Sequence, residues 1–148
     1  MSGGTANRRR GLVAERHLVT WLRTQGWPHA ERSVVTGYRT AHRERRDGGD
    51  ITGTPGIVWS LKDCAKLQIP AWWAELHTFD GPDRFRLLVV KNRGHASPAE
   101  WWCWLRVADM VELASTQLHP CQDLIRCHLS TVVSLLREAG YGQAPVSA

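Results

Sequence analysis

The chain has 148 residues, 43% of them hydrophobic and 22% charged, which suits one folded domain with one core and excludes a disordered or fibrous chain. No apolar run approaches the roughly 20 residues of a membrane span, so no membrane partner is expected. The net charge is +5, carried by 16 Arg and only 3 Lys. Guanidinium groups donate paired hydrogen bonds to phosphate, so the balance favours nucleic acid over a plain basic surface.

Met1–Arg10 is small, polar and basic, unlike a secretory signal, and the expected location is the cytoplasm. Residues 1–7 are expected to be irregular, 8–140 to form the domain, and 141–148 to be a frayed tail. Leu12, Val13, Leu18, Val19 and Leu22 make an apolar stripe at helical spacing, so the pattern predicts a helix over Arg8–Gln25, stopped by Gly26 and Pro28. Arg9, Arg16 and Arg23 recur every seven residues on it, and Glu15 lies at its middle.

Ala30–Thr36 reads as a first strand. Gly37–Gly49 is rich in charge, with Arg39, Arg43, Arg45 and Arg46, and reads as an exposed loop. Asp50–Thr52 and Ile57–Asp63 read as strands around the turn Gly53–Gly56, and together predict a hairpin. Ile69–Phe79 reads as a helix with Pro70 in its first turn. Arg84–Lys91 reads as a strand whose centre, Leu87-Leu88-Val89-Val90, is covered on both faces. Trp101–Val107 is a further strand, and Ala108–Ala114 and Leu124–Ala139 read as helices. The order predicts an α/β fold, a mixed sheet of about five strands flanked by helices.

The cysteines, Cys64, Cys103, Cys121 and Cys127, form no CxxC pair. Cys121 and Cys127 with His119 and His128 fit no standard zinc spacing, and buried free thiols are the better reading. The chain also holds eight tryptophans. Trp72-Trp73 and Trp101-Trp102-Trp104 cannot all bury on one face of their elements. A homodimer interface is favoured, with a Trp-rich core as the equal alternative.

Lys62 stands out among apolar strand residues, where an ammonium needs a partner. Alternation places Ser60 and Lys62 on one face and Trp59 and Leu61 on the other, and the hairpin brings Asp50 beside them. A carboxylate that holds a divalent cation and a lysine that steadies developing charge are the parts phosphodiester cleavage needs. The bland alternatives are an Asp50 that caps turn amides, a Lys62 that guards a sheet edge, and a Glu15 paired on a solvated helix. No serine triad is suggested.

Asp50-Ile51, the turn, and Ser60-Leu61-Lys62, preceded by a helix with Glu15 and by Arg32-Ser33, resemble the PD-(D/E)xK nuclease motif. The order of elements is similar to archaeal-type Holliday junction resolvases. The series from Gly26 to Arg32, Gly49 to Gly53 and Val58 to Asp63 resembles resolvase-like nucleases encoded by actinobacterial phages. The resemblance implies a restriction-endonuclease-like sheet, Mg²⁺ or Mn²⁺ as cofactor, and branched or duplex DNA as partner. It implies catalytic roles for Asp50, Lys62, Glu15 and Ser60, and metal ligation by Asp50, Glu15 and the backbone carbonyl of Leu61. Ser60 stands where the pattern has an acidic residue. Glu15, Asp63 or Glu75 would have to compensate, and alternation favours Glu15 over Asp63. Arg9, Arg10, Arg16, Arg32, Ser33, Arg39, Arg43, Arg45 and Arg46 are the expected DNA contacts.

Overall fold

A computed structural model describes residues 3–33, 49–76, 85–114 and 123–143. Helix α1 (Gly3–Gln25) precedes strands β1 (Glu31–Arg32), β2 (Ile51–Thr52) and β3 (Ile57–Lys62). Helix α2 (Ile69–Leu76), strands β4 (Phe85–Val90) and β5 (Trp102–Arg106), helix α3 (Val107–Ala114), strand β6 (Leu124–His128) and helix α4 (Leu129–Glu138) follow. The fold is mixed α/β.

The apolar stripe of α1 is buried only in part as its spacing predicts: Leu18, Val19 and Leu22 face the core, Leu12 is half-buried and Val13 is exposed. Ala14, Leu18, Val19 and Leu22 are all buried, and each buried Leu contributes about 1.5–3 kcal/mol relative to exposure. The helix starts at Gly3 rather than Arg8, so residues 3–7 extend it. Its arginines lie on the opposite, solvated side.

Strands β3 and β4 run parallel, with Ile57 opposite Phe85 and Lys62 opposite Val90. The chain between them holds α2, as a parallel crossover requires. Strands β5 and β6 add antiparallel, giving the order β3-β4-β5-β6. This sheet divides two apolar clusters. Ile57, Trp59, Leu61, Leu87 and Val89 join α1 and α4 in the larger one. Val58, Leu88 and Val90 meet Trp72, Trp73 and Leu76 of α2 in the smaller one. The unbroken apolar run of β4 follows from burial on both faces.

Two expectations are corrected. Strands β2 and β3 form no hairpin ladder: β2 pairs antiparallel with β1, Arg32 opposite Ile51. Among the described residues, a bridge between Gly49 and Trp59 is the backbone pairing that joins this small sheet to β3. The described strands therefore form sheets of two and four, not one sheet of five. Second, Leu124–His128 is a strand, and the last helix begins only at Leu129. Trp102 through Arg106 pair with it residue for residue. That cross-strand pairing outweighs a local apolar spacing that also fits a helix.

Candidate functional site

Asp50 lies where the two sheets meet. Its backbone N–H donates to the Trp59 carbonyl at 2.8 Å, and its own carbonyl accepts from the Ser33 N–H at 2.9 Å. Its side-chain Oδ2 accepts from the Leu61 N–H at 2.6 Å. Three bonds, one from Ser33 just after β1 and two with β3, thus fix both its backbone and its carboxylate. The second carboxylate oxygen, Oδ1, takes no part in them.

A cleft of about 120 Å³ opens beside it, with Asp50, Ser60, Lys62 and Glu75 among its lining residues. Lys62 Nζ lies 3.1 Å from Glu75 Oε2 and 5.8 Å from the centre of the Trp72 ring. Glu75 projects from α2, the helix over this face of β3. Its side chain is 61% exposed, so the pair adds less than about 1 kcal/mol and can open to an incoming anion. Ser60 is buried on the same face, as alternation predicts. A larger hollow of about 480 Å³ beside Tyr141 and Arg137 shares no lining residue with this cleft.

Burial pushes the Asp50 carboxyl above its ordinary value, and the negative charges of Glu15 and Glu75 push the same way. The Leu61 N–H and Lys62 pull it back. Glu15, Asp50, Lys62 and Glu75 therefore share one electrostatic neighbourhood, in which Lys62 and the Arg32 held by Glu15 are the cations. Glu15 is itself held by Arg32, Nε to Oε2 at 2.9 Å.

Among the described residues, no group of three or more His, Cys, Asp or Glu side chains is arranged to hold a metal ion. Asp50 and Glu15 carry the hard oxygen donors a divalent cation takes, but Glu15 Oε2 is engaged by Arg32 and Glu15 is not among the residues lining the Asp50 cleft. The two do not fit a closed protein cage. Among the described residues, the cysteines form no centre either. Cys64 is exposed and Cys103 is buried, Cys127 and His128 lie on β6, and His119 and Cys121 fall outside the described residues.

Among the expected DNA contacts, Arg9, Arg10 and Arg16 are exposed on α1. Arg32 is engaged with Glu15, and Ser33 meets Asp50 through its backbone. Arg39, Arg43, Arg45 and Arg46 lie outside the described residues. Leu61 meets Asp50 through its amide, a contact its expected carbonyl role does not include. Sequence reasoning missed Lys91 and Arg93, which flank Asp63 at 3.8 and 3.4 Å. Their signal was position: they directly follow the parallel strand beside Lys62, and open α/β sheets bind ligands outside the carboxyl ends of strands. The tryptophans divide between core and surface. Trp27, Trp59, Trp72, Trp73 and Trp101 are buried, while Trp21, Trp102 and Trp104 are half-buried. The adjacent Trp72 and Trp73 both pack into the smaller cluster.

Comparison of the chain with protein-family models, curated proteins and solved structures finds no match.

Proposed function

We propose that this protein is a metal-dependent DNA endonuclease of the restriction-endonuclease-like kind, acting on branched DNA. One observation carries the reading: the carboxylate of Asp50, fixed by the Leu61 amide, shares a cleft with Lys62. Asp50 and Glu15 would hold a Mg²⁺ or Mn²⁺ ion, which supplies Lewis acidity and a water of lowered pKa when bound. Lys62 would leave Glu75 for the scissile phosphate and stabilise the charge that develops on its oxygens. Ser60, buried in the lining of the same cleft, adds no charge. The exposed arginines of α1 would contact neighbouring phosphates, which positions DNA without reading its sequence. Symmetric nicking of a junction calls for two such sites, and a twofold homodimer would provide them.

A second reading, DNA binding without cleavage, is favoured by Ser60 and by the scarcity of grouped ligands. A four-way junction and a linear duplex, each incubated with Mg²⁺, separate the two. The endonuclease reading expects cleavage of the junction, lost in Asp50→Ala and in Lys62→Ala. Binding without cleavage in either Mg²⁺ or Mn²⁺ supports the second reading. Equal cutting of both substrates keeps a nuclease but removes the branched preference.

A further inference from the structure

A second charged cleft lies at the carboxyl ends of the parallel strands β3 and β4, and the proposed cleavage does not use it. It encloses about 320 Å³ and is lined by Arg10, Asp63, Lys91, Arg93 and Gly94. These residues come from α1, from the position after β3, and from the segment after β4. Three cations and one carboxylate leave the cleft with a formal charge of 3 − 1 = +2.

Asp63 is the organiser. Its side chain is only 7% exposed, with Oδ2 3.8 Å from Lys91 Nζ and Oδ1 3.4 Å from Arg93 Nε. Both separations exceed the roughly 2.7–2.9 Å of a charge-assisted hydrogen bond. Asp63 thus keeps the two cations together without saturating their donors. Arg93 is 48% exposed, and Arg10 is exposed on α1, so both can reach a ligand from water. Two guanidinium groups and an ammonium lining one cleft supply the donors that the oxygens of a phosphate accept.

The cleft also adjoins the candidate site. The Lys91 N–H donates to the Lys62 carbonyl at 2.9 Å, and Asp63 directly follows Lys62. Alternation turns Asp63 to the other side of β3, so the two clefts flank the end of one strand.

We infer that Arg10, Lys91 and Arg93 form a phosphate-binding subsite, and that the phosphate it takes is a backbone phosphodiester of a DNA strand whose neighbouring segment reaches Asp50 and Lys62. The inference rests on the proposed DNA substrate but not on cleavage, so its test omits metal.

Binding of a fluorescent four-way junction and a linear duplex to the full chain is measured in EDTA across a salt series. Lys91→Ala, Arg93→Gln and their double variant are compared with wild type, and Arg137→Ala serves as a remote loss of charge. Each single variant is expected to weaken binding to both DNAs alike and to lower the salt slope by about one. The double variant is expected to lose roughly tenfold or more in affinity, with an unchanged circular dichroism spectrum. Arg137→Ala is expected to stay near wild type. Wild-type affinity and slope in the folded double variant would overturn the inference, as would an equal loss in Arg137→Ala or no DNA binding by the wild type. A pyrophosphate titration identifies the source of the phosphate. Pyrophosphate binding lost in the double variant, with DNA binding intact, would assign the cleft to a free anion and overturn the backbone reading. Protein that binds DNA through this cleft and never cuts it fails only the endonuclease reading.

Discussion

At the scale of single residues, the site depends on bonds to backbone amides. The Leu61 amide takes one Asp50 carboxylate oxygen, and Asp50 lines the cleft shared with Lys62. The same strand is anchored two residues earlier, where the buried Trp59 Nε1–H donates to Thr54 Oγ1 at 2.9 Å. Thr54→Val keeps the shape and strands that donor, which costs about 1–3 kcal/mol. Urea denaturation should show a lower midpoint with an unchanged slope, and an unmoved midpoint would disprove the bond's contribution. The thiols give a second residue-scale test. Burial pushes the Cys103 thiol well above its ordinary value, with Cys127 adding to the effect, and thiolate is the reactive form. Iodoacetamide on the folded protein should therefore label exposed Cys64 and spare Cys103, as read by peptide mass spectrometry. Equal labelling would contradict the packing. The face shared by Ser60 and Lys62 was legible from strand alternation alone. The Lys62–Glu75 pair was not, because it depends on which face of β3 α2 covers, a long-range choice that no local spacing encodes.

At the scale of elements, the junction between β2 and β3 matters most. Gly49 has φ of +93°, and a Cβ there would collide with the Trp59 carbonyl. That carbonyl is also the acceptor for the Asp50 N–H. Gly49→Ala should cost about 1–3 kcal/mol through backbone strain and displace Asp50 from the Leu61 amide. A lower melting temperature together with lost DNA cleavage is expected; a neutral substitution would mean that this approach does not set the site. Legibility varied between elements for a physical reason. Helix α1 and strand β4 carry strong one-dimensional patterns, a helical stripe in one and an unbroken apolar run in the other. Strand β6 carries none. In Leu124, Ile125, Arg126, Cys127 and His128 the apolar positions continue into α4 at helical spacing, and only pairing with β5 makes them a strand. The supposed hairpin failed similarly: the turn at Gly53–Gly56 was read correctly, but β2 finds its partner in β1.

At the scale of the whole molecule, charge and topology converge. The +5 net charge is rich in arginine, and two clefts at the end of β3 divide the chemistry between them. One gathers carboxylates around Asp50 and Lys62, and the other gathers cations around Asp63. Binding that leans on such cations should weaken steeply as salt rises. The carboxylate cleft makes the stronger claim, since Asp50 and Lys62 come from separate segments and line the same space. The most direct test is cleavage of a four-way junction in Mg²⁺ by wild type, Asp50→Asn and Lys62→Ala, with DNA binding measured on the same preparations. The account predicts cleavage by wild type and its loss by at least about a hundredfold in each variant, as expected when a group stabilising the transition state is removed, while the variants still bind DNA. Wild-type cleavage rates in a folded Asp50→Asn or Lys62→Ala protein would contradict it.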